Sequence, residues 1–170
     1  SGSVTNITVF CDSFQTVTQL PSSWPSERTS LSVSRPLRTR LKTCPDGWKR
    51  FECTCYLVSV ETASWERGWQ DCTSRGADLV IVDRAEEQTF LTKIAKKDTW
   101  IGLMDRDQEG SWKWSDGTPL TLAAADNGGG HPKYGEEDCA VISANRGTDE
   151  NWNDLRCDAS RPWICEKNAN

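Results

Sequence analysis

The chain has one histidine, no excess of positive charge, no apolar run of membrane-spanning length and no Cys-x-x-Cys pair. Each lack removes a class of function. A bilayer-spanning helix needs roughly 18 consecutive apolar residues. Lysine and arginine number 20 against 25 acidic residues, for a net charge of -5 at pH 7. A phosphate-binding surface needs the opposite balance, which argues against nucleic acid as a partner. A thiolate zinc site uses paired cysteines or a cysteine–histidine mixture, and only His131 and the single spaced pair Cys53/Cys55 are on offer. His131 also lacks a nucleophile motif around it, so catalysis is not expected. No leader of basic, apolar and small segments is present, and Ser1-Gly2-Ser3 reads as a cloning remnant. The expectation is a trimmed ectodomain or a mature secreted protein.

What the chain does have is cysteine and tryptophan, eight of one and nine of the other. Cysteines in this number without metal-ligand spacing read as disulfides formed in an oxidising, extracellular compartment. The Asn6-Ile7-Thr8 triplet, an N-glycosylation acceptor at Asn6, points the same way. The two residue types are unevenly distributed: seven of the cysteines and eight of the tryptophans lie from Cys44 onward. Residues 1–43 are rich in serine and threonine and broken by Pro21, Pro25 and Pro36, so they are expected to form a stalk or neck. Val9, Phe10, Phe14 and Trp24 offer docking side chains within it, and Cys11 a covalent tie.

Beyond the stalk, residues 55–60 read as a strand, and 62–75 as a helix whose buried face carries Trp65, Trp69 and Cys72. Residues 79–82 (Leu-Val-Ile-Val) form a short buried strand. Asp83 with Glu86 suggests a capping box for a second helix, buried through Phe90, Leu91 and Ile94. Short strand-like pieces then alternate with turns to the end, which gives an α+β class. Residues 115–138 lack periodicity, and aperiodic stretches of that length inside a domain are usually functional.

Cys44-Pro-Asp-Gly-Trp48, Cys55-Tyr56, Trp100-Ile-Gly-Leu103, Trp112-Lys-Trp114 with Ser115-Asp-Gly117, Glu137-Asp-Cys139, Trp152-Asn-Asp154, Cys157 and Trp163-Ile-Cys165 follow in order. Over about residues 44–168 this series resembles a C-type lectin-like domain. The resemblance implies two helices, small antiparallel sheets and a long functional loop, with most of the tryptophans in the core. Eight cysteines leave about a hundred pairings open from sequence alone. The resemblance implies Cys44–Cys55, Cys72–Cys165 and Cys139–Cys157. It does not fix Cys11 and Cys53; an intrachain Cys11–Cys53 bond is expected, with an interchain bond making a homodimer as the rival.

The resemblance further implies calcium, a hard ion that takes six to eight oxygens. Glu137, Asn153 and Asp154 match the downstream ligands of the family's principal site, where sugar hydroxyls complete the shell. Asp105 and Glu109, with Glu137 and Asp138, match most of an auxiliary site. Where the family carries a Glu-Pro-Asn or Gln-Pro-Asp triplet, this chain has His131-Pro132-Lys133, and neither flank supplies a side-chain oxygen. Asp126 or Asn127, freed by Gly128-Gly129-Gly130, are substitute ligand candidates. His131, Lys133 and Tyr134 are candidates for ligand contact. Two functions follow. One is calcium-dependent carbohydrate binding through a divergent site, in a secreted lectin or the ectodomain of a type II membrane receptor of innate immunity. The other is a calcium-independent lectin-like domain that binds a cell-surface protein. A toxin-like or ice-binding derivative has less support from the one-domain, stalked layout.

Overall fold

The structure, a computed structural model, describes residues 42–120, 137–144, 146–147 and 151–170. Asn6, Cys11, Asp126, Asn127, His131, Lys133 and Tyr134 lie outside the described residues. Along the chain run β1 (Lys49–Phe51), β2 (Thr54–Val58), α1 (Trp65–Ser74), β3 (Asp78–Leu79) and α2 (Ala85–Ile94). They are followed by β4 (Thr99–Met104), β5 (Lys113–Trp114), β6 (Cys139–Ile142), β7 (Trp152–Leu155) and β8 (Ile164–Asn168). Two four-stranded antiparallel sheets result, ordered β1-β2-β8-β3 and β5-β4-β6-β7. The class is α+β, as expected.

Strand alternation builds two cores from one chain. On β6, Ala140 and Ile142 face one cluster with Val82, Leu91, Ile101, Leu103, Trp114 and Trp152. Cys139 and Val141 face the other, with Trp65, Leu79, Trp100 and Trp163. Five tryptophans (65, 100, 114, 152 and 163) are buried, with the Trp114 and Trp152 rings edge to face at 5.7 Å. The two sheets meet at Val80. Its N–H donates to Ile164 O at 2.9 Å in one sheet, and its carbonyl accepts from Gly102 N at 2.8 Å in the other. That division of partners is why the apolar 79–82 run yields a strand only over Asp78–Leu79. Gly102 has to be glycine: a Cβ there would lie 2.8 Å from Ser115 Oγ and 2.9 Å from Leu79 O.

Helix α1 starts at Ser64, whose Oγ accepts from Arg67 N at 3.3 Å, and its end is closed by Gly76 at φ +62. Its buried face is Trp65, Gly68 and Cys72, not the Trp65, Trp69 and Cys72 face read from the sequence. At about 100° per residue, Gly68 and Trp69 flank the Trp65–Cys72 line on opposite sides. Trp163 occupies the Gly68 side, within 3.0 Å of where a Cβ would stand, so Trp69 is left 38% exposed. The strand expected over residues 55–60 is also displaced: β2 runs Thr54–Val58, and Val60 is fully exposed in the bend beyond.

At α2 the sequence reading paired Asp83 with Glu86. The N-cap is instead Arg84, without a side-chain cap, and it is Glu87 that reaches back, its Oε2 accepting from Asp83 N at 3.2 Å. Leu91 is fully buried, while Phe90 and Ile94 are half-buried. Glu87, itself buried, also accepts from the Tyr56 hydroxyl. Across the sheet the Tyr56↔Glu166 and Asp78↔Glu166 register pairs bring further carboxylates to the same cleft, of about 280 Å³.

Burial pushes Glu166 up to about 8, against the pull of the Ile81 N–H, and pushes Glu87 up to about 7. A carboxyl that binds its proton more tightly when folded favours the folded state as pH falls. This contribution is complete below the ordinary 4.5 and lost as pH rises through 7 and 8. In a chelating buffer the melting temperature is therefore expected to rise as pH is lowered from about 8.5 to about 5.5. Glu166→Gln should raise it at the alkaline end and flatten the slope. A wild-type melting temperature that falls over that range would contradict this.

Three disulfides hold these elements. Cys72–Cys165 joins α1 to β8, Cys139–Cys157 joins β6 to the segment after β7, and Cys44–Cys55 closes the start of the domain onto β2. Cys53, in the turn between β1 and β2, is also disulfide-bonded. The two ends of the described core meet, with Thr43 N donating to Asn170 O at 2.7 Å.

Candidate functional site

The site begins where strand pairing ends. Met104 of β4 lies opposite Cys139 of β6, so one antiparallel step further places Asp105 opposite Asp138. Asp105 N donates to Asp138 O at 3.1 Å. The chain then turns through Asp105–Gly110, with Gln108 N donating to Asp105 O at 3.0 Å and Gly110 at φ +77. A left-handed backbone at Gly110 is what lets its N–H point back at Asp105 Oδ2, 2.8 Å away. The same turn carries Glu109 to the group. One carboxylate oxygen from each of Asp105, Glu109 and Asp138 lies within 4.8 Å of the other two.

This geometry suits a hard divalent cation. Oxygens on opposite sides of a calcium ion are about 4.6–5.2 Å apart, twice the usual Ca–O distance. Asp105 supplies an independent mark. It is only 4% exposed, and its Oδ1 is buried with no hydrogen-bond partner. A buried carboxylate oxygen left without a partner is costly. Burial pushes the Asp105 carboxyl upward; the Gly110 N–H opposes this and the neighbouring Asp138 adds to it. A cation seated among the three side chains would reverse both penalties. The residues present therefore fit the ion that the resemblance implies.

The second set of expected ligands lies on the edge strand β7. Ala140↔Asp154 and Val141↔Asn153 are its register pairs with β6. Asp154 is buried and Asn153 half-buried, as strand alternation requires. The Asn153 amide folds back, its Nδ2 donating to Asp154 O at 2.7 Å, which leaves its Oδ1 as an acceptor turned away from that bond. Glu137, half-buried, directly precedes Asp138 but is not part of the three-carboxylate cluster. The Cys139–Cys157 bond ties β6, directly after Asp138, to the segment that follows β7.

Two residues that matter to this region were not found by sequence reasoning, Gln88 and Asn151. Both are polar and buried, at 5% and 0% exposure. Gln88 sits on a helix face whose apolar neighbours alone carried the periodic signal.

The family model described as "Lectin C-type domain" matches residues 61–167, more than half of the chain. Mouse C-type lectin domain family 4 member E is 42% identical over 127 residues, which cover 72% of this chain and 59% of that protein. The C-type lectin domain of murine dendritic cell inhibitory receptor 2, solved in complex with N-glycan, is 31% identical with a TM-score of 0.63. That match covers 74% of this chain and 99% of the other. A calcium-independent type II antifreeze protein is 27% identical with a TM-score of 0.64, over 78% and 99% of the two chains. Fold, motif order and sequence thus agree, and the chain belongs to the C-type lectin domain family.

Proposed function

We propose that this chain is an extracellular recognition domain, not an enzyme, that captures a carbohydrate with the help of calcium. The observation that carries the reading is Asp105. A buried carboxylate with an unpartnered oxygen, within 4.8 Å of two more carboxylates, is a poor packing element and a good half of a cation site. Asp105, Glu109 and Asp138 would hold one calcium ion. Glu137, Asn153 and Asp154 would hold a second that also meets the sugar, with Asp126 or Asn127 in place of the missing triplet oxygens and His131, Lys133 and Tyr134 flanking the ligand. Calcium would supply a Lewis-acidic centre to which sugar hydroxyls coordinate. The N-glycan held by the murine dendritic cell inhibitory receptor 2 domain supports a glycan as the ligand class.

The disulfides support an oxidising, extracellular setting. Within the proposal, residues 1–43 form the stalk, Cys11 closes onto Cys53, and the domain is the head of a type II receptor or a secreted lectin. An interchain Cys11 bond would instead make a homodimer.

A second reading is favoured by His131-Pro132-Lys133, since a lysine ammonium repels calcium where the family places two ligands. On that reading the fold binds a protein without calcium, and the calcium-independent antifreeze neighbour supports the compatibility of such a fold with calcium-independent function.

Thermal melts separate the two. Calcium added to chelator-treated protein is expected to raise the melting temperature by mass action. Glu137→Ala and Asp154→Ala should each remove part of that rise. No response in the wild type would favour the second reading, and a full response in both variants would overturn the assignment of Glu137 and Asp154 as ligands.

A further inference from the structure

A circuit of buried and part-buried hydrogen bonds ties α2 to the start of β7. Gln88 Nε2 donates to Asn151 Oδ1. Asn151 Nδ2 donates to Thr92 Oγ1 at 2.8 Å, and the Thr92 hydroxyl donates to the Gln88 carbonyl at 2.8 Å. The Asn151 amide and the Thr92 hydroxyl each accept one bond and donate the next, the arrangement in which hydrogen bonds polarise one another. Gln88 Oε1 then takes a fourth bond from the Trp152 indole N–H at 3.0 Å. From the other side, the Asn151 carbonyl accepts from Ser143 N.

Two primary amides in a tryptophan-rich core cost more to desolvate than apolar side chains of the same size, and contribute only when every bond is made. What such a network adds over apolar packing is register. Register is what β7 needs. It is an edge strand, hydrogen-bonded to β6 alone among the described residues, and a slip by one residue would exchange the faces on which Asn153 and Asp154 stand. Asn151 and Trp152 are the two residues immediately before them, and the network holds both.

We infer that Gln88, Thr92 and Asn151 are positioning residues for the Asn153–Asp154 ligand pair, touching neither ion nor sugar but fixing the strand that presents those oxygens. The inference rests on the reading of Asn153 and Asp154 as calcium ligands. It also says that the two calcium sites differ in their supports: the Asp105–Glu109–Asp138 group is held by the Asp105–Gly110 turn and the β4–β6 step, neither of which involves α2.

The test is a calorimetric calcium titration of wild type, Gln88→Met, Thr92→Val and Asp154→Ala, each made calcium-free beforehand. Gln88→Met keeps the length of the side chain and breaks two bonds; Thr92→Val also breaks two, with a side chain of nearly the same shape on a half-buried residue, and decides the matter if the methionine variant does not fold. Affinity at the site that Asp154→Ala removes is expected to fall about tenfold in Gln88→Met, the range for supporting partners of metal ligands. Thr92→Val should weaken the same site, and affinity at the Asp105 site should be unchanged in both. If both variants bind calcium as the wild type does, the inference is overturned while the ligand reading stands. Equal weakening of both sites would mean general loosening and would also overturn it. If Asp154→Ala leaves every calcium event intact, the ligand reading fails and the inference falls with it.

Discussion

Replacing Cys72 and Cys165 together by alanine is expected to destabilise the domain by about 4 kcal/mol, a fall of roughly 10–15 °C in melting temperature. This bond closes a loop of 93 residues, against 18 for Cys139–Cys157 and 11 for Cys44–Cys55. Loop closure entropy grows with the logarithm of that length, so the three losses should rank in that order, at about 4, 3 and 2–3 kcal/mol. Packing reinforces the ranking. Cys72 and Cys165 are both fully buried in the cluster with Trp65, Trp100 and Trp163, so alanine there also leaves part of two sulfur volumes empty. Denaturant melts of the three double variants give the comparison. A Cys44–Cys55 knockout that costs more than Cys72–Cys165 would show that chain entropy does not set these contributions.

Asp105→Asn is expected to act in opposite directions with and without calcium. In chelator, the amide removes a desolvated negative charge that Asp138 opposes, while its oxygen still accepts from Gly110 N. Stability should be equal to or above that of the wild type. In calcium, the loss of a charged ligand from a site of three should weaken binding on the order of a hundredfold, about 2.7 kcal/mol. The melting curves of variant and wild type therefore cross as calcium is added. A residue that only packs would lower stability equally in both conditions. Paired melts in chelator and in saturating calcium distinguish the cases; parallel curves would remove Asp105 from the metal site.

The sequence was most informative where apolar periodicity and cysteine coincide. Cys72 falls on the helical line of Trp65 and is buried with it, while Trp100-Ile101-Gly102-Leu103, which entered only through the family resemblance, lies within β4 with its tryptophan, isoleucine and leucine buried. It reads less well where two aromatic residues compete for one helix face. Trp65 and Trp69 both satisfy helical spacing, but only the structure shows that Trp163 fills the opposite flank over Gly68 and leaves Trp69 outside. Polar residues inside the core were invisible for a related reason. Glu87, Gln88 and Asn151 look like solvated surface until their partners, Tyr56, Trp152 and Thr92, are known, and all three are more than 30 residues away.

The carboxylate cluster sits between these extremes. Asp105 and Asp138 are 33 positions apart in sequence, and no spacing rule connects them. They meet because Met104 pairs with Cys139 and the ladder is extended by one step. The family resemblance anticipates them as a set; the strand register supplies the physical reason. For the half of the site proposed to face the sugar, β7 gives the backbone that carries Asn153 and Asp154, and Gln88 ties that strand to α2.

Calcium-dependent glycan capture is the claim on which the account turns. The most direct measurement is binding of the full chain to an array of glycans in millimolar calcium, repeated on the same array after chelation. Capture of a restricted set of glycans is expected in calcium and its loss in chelator, with Asp154→Ala failing to bind in either condition. Capture that survives chelation, or an array left empty by a protein that binds calcium, would contradict it.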